Sequence, residues 1–258
     1  MSDTPVFVGI DVACAVNKRL PLCVVSLDDR LTPVGIPKVS AGTVPRGLGN
    51  REITAEVPFR KSAREAASAI QGIANEMGWR VERIAVDAPA APPETGSRLS
   101  ENDLGRLGLS SFRTPAKADW LGIRYKCINH LKGGGSLATL PYANMIWMLF
   151  GFELFAALRE TFEAEVIEVY PFSIVRALLP TSLHKSTEQG YRDQLDAVAS
   201  RTGWEPGDLE VKLHTTVAGS RHDRLDAYMG AWIASLPLER RRAFGNPDRR
   251  DDAIWVPR

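Results

Sequence analysis

Three apolar, strand-like stretches of this sequence each contain one carboxylate near their end. Asp and Glu are depleted inside β-strands, so three such acids in three such stretches indicate a shared site. The alternative is that each acid caps a strand or is a surface charge. The acids and their stretches are Asp11 in residues 6–13, Asp87 in residues 83–89 and Glu168 in residues 165–171.

Two more acids, Asp223 and Asp226, lie in an amphipathic closing helix predicted over residues 221–236. Residues three apart are neighbours on a helix surface. Clustered carboxylates cannot all stay ionised in a site of low dielectric constant without a cation between them. Oxygen ligands without His or Cys favour Mg²⁺ or Mn²⁺ over zinc. The predicted catalytic acids are Asp11, Asp87, Glu168, Asp223 and Asp226, and the predicted metal ligands are the same set without Asp223.

The elements around these acids predict an α/β fold. The first three strands are predicted to form an antiparallel meander, and a crossover helix over residues 61–77 leads to the next strand. Ligands of open α/β sheets bind at the carboxyl ends of the strands, where these acids lie. The predicted strands cover residues 6–13, 19–28, 31–40, 83–89 and 165–171.

The whole chain, residues 1–258, is predicted to be a single domain with two departures from simple alternation. A helical insertion follows the fourth strand over about residues 91–163. The tail over about residues 237–258 has six Arg against four acids and is predicted to be polar and poorly packed.

A basic segment lies inside the insertion. Residues 98–132 hold seven Lys or Arg against three acids, interleaved with Phe112, Trp120 and Tyr125. This composition is typical of a surface that holds phosphates and stacks bases. The alternative is an ordinary insertion whose aromatic residues pack inward. The substrate-binding residues predicted here are Arg113, Lys117 and Arg124.

The composition excludes several classes of protein. The formal net charge is only +1, so a nucleic acid would have to be held by a local patch. Three cysteines without C-x-x-C spacing argue against a disulfide framework or a zinc knuckle, and we expect a reducing cytoplasm. The longest uncharged stretch, residues 133–152, begins with three glycines and contains Pro141 and Asn144, so it does not supply the roughly 20 predominantly apolar residues that span a bilayer, and no membrane segment is expected. The oligomeric state is not indicated.

The order of these elements resembles that of domain-of-unknown-function family 429, a group of predicted nucleases with a ribonuclease-H-like fold. The resemblance covers nearly the whole chain. It implies a mixed five-stranded sheet flanked by helices, in which the first strand lies beside the fourth and Asp11 beside Asp87. The closing helix is also similar to that of RuvC-type Holliday-junction resolvases, which use a D-x-x-D-A pair there. The motifs are GIDVA at residues 9–13, AVDAP at 85–89, VIEVYP at 166–171 and HDRLDA at 222–227.

The resemblance also implies four further substrate-binding positions. Arg98 and Glu101 match an R-x-x-[DE] element, for which the alternative is an exposed ion pair. Lys185 and Arg192 lie in a segment similar to a basic stretch after the fifth strand. One departure is that residues 12–14 replace the Gly or Ser and Thr that follow the first acid in many relatives, so substrate contacts there do not carry over.

The sequence therefore predicts a divalent-metal-dependent nuclease with Mg²⁺ or Mn²⁺ as cofactor and a nucleic acid of unknown type as partner, in which Asp11 bridges two ions. One alternative is a non-catalytic ribonuclease-H-like module that binds a nucleic acid or nucleotide, which tight Mn²⁺ binding without cleavage would favour. Another is a nucleotide-binding protein of the actin and Hsp70 type. Such proteins need two such domains and Gly-rich phosphate hairpins, and this chain has neither.

Overall fold

The protein forms a six-stranded mixed sheet flanked by helices, so the α/β class is confirmed and the predicted count of five strands is wrong. The computed structural model describes residues 4–12, 16–37, 40, 42–47, 49, 53, 56–109, 111–181, 183–249 and 252–258. The strands are β1 (Thr4–Asp11), β2 (Leu22–Ser26), β3 (Trp79–Asp87), β4 (Glu165–Val169), β5 (Arg241–Gly245) and β6 (Ala253–Pro257). Their order across the sheet is β2-β1-β3-β4-β6-β5.

Strand β1 lies in the interior of the sheet, with β2 antiparallel on one side and β3 parallel on the other. Its run of apolar residues is buried on both faces, as expected of an interior strand. Asp11 and Asp87 are paired residues at the carboxyl ends of β1 and β3. The neighbouring positions of these two acids are therefore as the sequence led us to expect.

Helices cover both faces of the sheet. Those on one face, α1 and α4, share a core with Val8 and Ile10 of β1. Those on the other face, α6 to α8, share a core with Phe7 of β1 and Ala85 of β3. The helices are α1 (Glu56–Met77), α2 (Leu99–Arg106), α3 (Lys117–Lys132), α4 (Trp147–Thr161), α5 (Pro171–Leu178), α6 (Glu188–Thr202), α7 (Pro206–Thr216) and α8 (Arg221–Ser235).

Helix α8 packs directly on the backbone of β1 at Gly9. A Cβ atom built on Gly9 would lie 1.9 Å from the carbonyl oxygen of Ala227 and 2.3 Å from the amide nitrogen of Ala231. Any side chain at Gly9 would therefore collide with the helix. This close approach brings the first turns of α8, and with them Asp226, to the end of β1 where Asp11 lies.

The prediction of a strand over residues 31–40 is wrong. Within its described residues only one bridge forms, between Val25 and Pro33, followed by a hydrogen bond from the amide of Val34 to the carbonyl of Val24 at 2.8 Å. Proline has no N–H to donate to a sheet, and both Pro33 and Pro37 lie in this stretch. A regular third strand is therefore replaced by an extended segment along β2.

The prediction of a poorly packed tail is also wrong. Residues 237–258 contribute β5 and β6, and β6 is buried throughout and pairs in parallel with β4. Helices α2 to α4 fall within the predicted insertion at residues 91–163. Of the helices in the described ranges, none is long and apolar enough to cross a membrane.

Candidate functional site

Three carboxylates lie close together where the carboxyl ends of β1 and β3 face α8. Asp11 and Asp87 are paired on neighbouring strands, so their side chains leave the same face of the sheet. That face is the one covered by α8. Asp226, in the second turn of α8, is only 3% exposed. Two of the three acids thus come from strand ends and the third from the helix laid over them, and we call them the carboxylate cluster.

The electrostatics of the carboxylate cluster reflect this proximity. Burial raises the pKa of Asp11, and the carboxylates of Asp87 and Asp226 raise it further. Burial likewise raises the pKa of Asp87, with Asp226 adding to the effect. Burial also raises the pKa of Asp226, although a neighbouring ammonium opposes it. Like charges in a partly desolvated site behave in this way when no cation neutralises them.

The neighbouring ammonium belongs to Lys185, which precedes α6. It donates a hydrogen bond to Asp226 Oδ2. Burial alone would lower the pKa of Lys185, but Asp226 and Asp87 raise it above its ordinary value, so the side chain stays charged. One ammonium against three carboxylates leaves an excess of negative charge when all are ionised. Sequence reasoning assigned Lys185 to substrate and missed this contact, for which no local signal exists.

Asp223 lies at the rim of the carboxylate cluster. Its carboxylate accepts a hydrogen bond from the amide of Ser220 at 2.9 Å and closes a capping box at the start of α8. The ammonium of Lys18 lies 3.7 Å from the same carboxylate. Burial acts to raise the pKa of Asp223, but the Ser220 hydrogen bonds and the ammoniums of Lys18 and Lys185 lower it overall. Asp223 is thus already engaged as a helix cap.

Glu168 does not join the carboxylate cluster. Its partner in β3 is Val86, so it lies on the opposite face from Asp87, because side chains alternate along a strand. Its two oxygens accept hydrogen bonds from Arg98 Nη1 and Nη2, both at 2.6 Å. The amide of Ala90 donates a third, at 2.8 Å. Glu168 is thus held in an ion pair on the face opposite Asp87, although its charge still acts to raise the pKa of Asp87 and both residues line one small cavity.

Arg98 and Glu101 are buried, not exposed as the ion-pair alternative assumed. Arg98 is 2% exposed and Glu101 8%. Glu101 Oε1 lies 3.6 Å from Arg98 Nη1, and both its oxygens accept from the amide of Thr114 at 3.1 Å. Asp252, just before β6, lies 3.9 Å from Arg98 Nε. The guanidinium of Arg98 therefore links the start of α2 to β4 and to the residue before β6. Because it is buried, it is not accessible to a substrate in this conformation.

The remaining predicted substrate residues lie at the surface or near it. Arg113 is exposed, Arg124 is partly buried, and Lys117 pairs with Glu94. Arg192 pairs with Glu188 within α6 at 3.1 Å. None of these side chains contacts the carboxylate cluster through a bond in the described residues.

The aromatic residues of the basic segment divide between the two interpretations. Trp120 packs inward, with its ring centroid 5.9 Å from that of Phe152. Tyr125 is 66% exposed. Phe112 is partly exposed and contacts Tyr170, with 4.5 Å between ring centroids. Phe112 and Tyr170 also line a small cavity with Asp87, which sequence reasoning did not foresee.

The donor set of the carboxylate cluster fits a hard divalent cation. Its ligands are all oxygens, and the charge excess left by Lys185 is of the size that one such ion would neutralise. As the side chains stand, with Lys185 on Asp226, no group of three Asp, Glu, His or Cys within the described ranges is arranged to hold a metal ion. Binding would therefore require the ammonium and the carboxylates to rearrange.

Comparison with known proteins places the chain in a family. It belongs to the family described as "Protein of unknown function (DUF429)", whose match covers residues 1–249. No curated protein matches the chain. No solved structure matches it either.

Proposed function

We propose that this protein is a divalent-metal-dependent nuclease that hydrolyses phosphodiester bonds of a nucleic acid. The observation that carries the proposal is the carboxylate cluster itself: Asp11 pairs with Asp87 at the strand ends, and Asp226 of α8 faces both. Buried acids that raise one another's pKa occur preferentially at functional sites.

The fold supports a ribonuclease-H-like core. Strands β2 and β1 are antiparallel, and β1, β3 and β4 are parallel neighbours. The extended segment at Val34 lies along β2, where the third strand of that core is expected. Strands β5 and β6 then extend the sheet beyond β4.

Asp11, Asp87 and Asp226 are the residues that would hold Mg²⁺ or Mn²⁺. Such an ion, when bound, neutralises developing charge on a phosphate and lowers the pKa of water. Lys185, released from Asp226, would donate a hydrogen bond to a non-bridging phosphate oxygen. Lys18, with about half of its side chain exposed beside Asp223, offers a second ammonium to the backbone of the nucleic acid. Glu168 holds Arg98 and so positions the chain around the site.

A second candidate function is a non-catalytic module that binds a nucleic acid or nucleotide. The contact that favours it is the one between Lys185 and Asp226, because the ammonium already offsets part of the charge that a metal ion would neutralise. Binding of a nucleic acid or nucleotide without its cleavage in Mg²⁺ or Mn²⁺ would identify this function.

The test is a cleavage screen over labelled single-stranded DNA, single-stranded RNA, duplex DNA, RNA–DNA hybrid and branched DNA. Each substrate is incubated with Mg²⁺, Mn²⁺ or EDTA. We expect cleavage of at least one substrate with a metal ion and none in EDTA. Asp226→Asn should abolish it, whereas Asp196→Asn, the same change at an exposed position of α6, should not. Cleavage that survives Asp226→Asn, or no cleavage of any substrate, would overturn the proposal.

A further inference from the structure

A second cavity of about 470 Å³ lies outside the carboxylate cluster, between α3 and the short helical turn at Ala143–Met145. Its volume is in the range of pockets that bind small molecules. Its walls include Pro115, Ile123 and Met145, and the ring of Tyr142. We call it the Tyr142 pocket.

The polar groups of the Tyr142 pocket are mainly cationic. Arg113 and Lys126 line it, and neither forms an ion pair with a carboxylate in the described part of the chain. Asp119 also lines it, and its carboxylate accepts a hydrogen bond from the amide of Ala116, the residue before α3, at 3.2 Å. Two cations beside apolar and aromatic walls match a ligand that is flat and apolar at one end and anionic at the other.

Tyr142 is held in an unusual conformation. Its φ is +59°, in the left-handed region that side chains with a Cβ rarely adopt. The ammonium of Lys126 donates a hydrogen bond to Tyr142 Oη at 3.1 Å and lies 5.3 Å from the centroid of its ring. Strained residues of this kind concentrate at ligand sites. Tyr142 therefore presents its aromatic ring beside the Lys126 cation in the wall of the pocket.

Gly122 leaves one wall of the Tyr142 pocket open. It lies inside α3, where glycine is less favourable than alanine, and a Cβ built on it would meet no heavy atom within 4 Å. Packing therefore gives no reason for a glycine there. A larger side chain at this position would extend into the cavity without disturbing the protein around it.

We propose that the Tyr142 pocket binds a nucleotide, with the base against Tyr142 and Met145 and the phosphate between Arg113 and Lys126. Stacking on an aromatic ring combined with a phosphate contact is the usual way to hold one unit of a single strand. Phe112, which lines the small cavity at Asp87, directly precedes Arg113 in the chain. A residue of the Tyr142 pocket, Arg113, is therefore the chain neighbour of a residue that lines the cavity at Asp87. The inference rests on the proposed function only in taking this nucleotide to belong to the strand that is cut.

The test measures binding in EDTA, so that cleavage has no part in it. The probes are adenosine monophosphate and a five-nucleotide oligodeoxyadenylate, titrated into protein labelled with ¹³C at the methionine methyl groups. We expect the Met145 methyl resonance, assigned from Met145→Leu, to shift with both probes through the ring current of the base. Tighter binding of the oligonucleotide would identify a strand as the ligand, and tighter binding of the monophosphate a free nucleotide.

Two variants and a control decide the location of binding. Gly122→Leu and Lys126→Ala should each weaken binding at least about tenfold. Gly207→Leu makes the same change in the first turn of α7, where a Cβ also meets nothing within 4 Å, and should leave binding unchanged. Unaltered binding by Gly122→Leu, or a Met145 methyl resonance that does not move, would overturn the inference. Because Asp226→Asn should retain this binding while losing cleavage, failure of the pocket and failure of the nuclease proposal give different results.

Discussion

Asp87 is the last residue of β3 and Glu168 the last but one of the parallel neighbour β4, but their side chains leave opposite faces of the sheet. Glu168 pairs with Val86, one residue before Asp87. Asp87 therefore faces α8 and the carboxylate cluster, whereas Glu168 faces Arg98. The two acids have different electrostatic environments as a result, one among like charges and one in an ion pair.

The buried pair of Arg98 and Glu168 should be essential for stability. Replacing Arg98 by Met leaves the Glu168 carboxylate buried without its partner, which typically costs about 3–5 kcal/mol. We expect a corresponding loss in the free energy of unfolding measured with urea. Adding Glu168→Gln to Arg98→Met should restore part of that loss, because the uncompensated charge is removed.

Arg192→Met is the matched control for Arg98→Met. Its exposed pair with Glu188 should be worth no more than about 1 kcal/mol. A similar, small effect of both arginine substitutions would show that the buried pair is not essential.

Stability without metal should depend on pH in a defined direction. The folded-state pKa values of Asp11, Asp87 and Asp226 lie above their ordinary value. The native state therefore binds more protons than the unfolded state at pH values between the two, and stability falls as the pH rises through the folded-state values. In EDTA, the melting temperature of the wild type should increase as the pH is lowered from 8 to 5.

Asp11→Asn should remove part of that pH dependence. At pH 8 in EDTA we expect it to raise the free energy of unfolding on the order of 1 kcal/mol, or roughly 2–4 °C in melting temperature for a chain of this size. Burial lowers the pKa of His222, which acts oppositely near pH 6, but this contribution cancels in the comparison of the variant with the wild type. A melting temperature several degrees lower in the variant would mean that Asp11 is a structural acid.

The basic segment should contribute to nucleic-acid binding unequally along its length. Arg113 is exposed, whereas the ammonium of Lys117 is already paired with Glu94. For single-stranded DNA, Arg113→Ala should reduce the slope of log affinity against log salt concentration by about 0.7. Lys117→Ala should reduce it less. Equal slopes for the wild type and Arg113→Ala would favour the alternative of an ordinary insertion.

The C-terminal strand should be part of the stable core. Trp255 of β6 is buried, and its ring lies 4.3 Å from the guanidinium of Arg241. Trp255→Ala should cost about 3–5 kcal/mol in urea unfolding, as expected when a large core side chain is removed. Leu238→Ala, at an exposed position of the same tail, should change stability by less than about 0.5 kcal/mol. Equal effects of the two substitutions would mean that β6 is not docked as described.

The sequence predicted those features that depend on local pattern. The apolar run before Asp11 and the small residues of α1 specify a central strand and its crossover helix, and both are present. Pro33 and Pro37 indicate that residues 31–40 cannot form a full strand ladder, although the apolar residues around them favour a strand. The apolar run in residues 253–257 indicated a strand too, but the arginines that precede it dominated the composition of the tail.

Other features of the site depend on tertiary contacts that no local pattern encodes. The face on which Glu168 lies depends on its pairing register with β3, and a shift of one residue reverses it. Lys185 reaches Asp226 across 41 positions of the chain. The sequence contains one local feature related to this arrangement, Gly9. Its lack of a side chain permits the close approach of α8 that brings Asp226 to Asp11.

The central claim is that the carboxylate cluster binds a divalent cation, and calorimetric titration of Mn²⁺ into the protein tests it without a substrate. We expect the wild type to bind Mn²⁺ and Asp196→Asn to bind it equally well. Asp11→Asn should weaken binding at least about tenfold, because a neutral amide replaces one of the three charges that hold the ion. Equal Mn²⁺ affinity in the wild type and Asp11→Asn, or no binding by the wild type, would contradict the account.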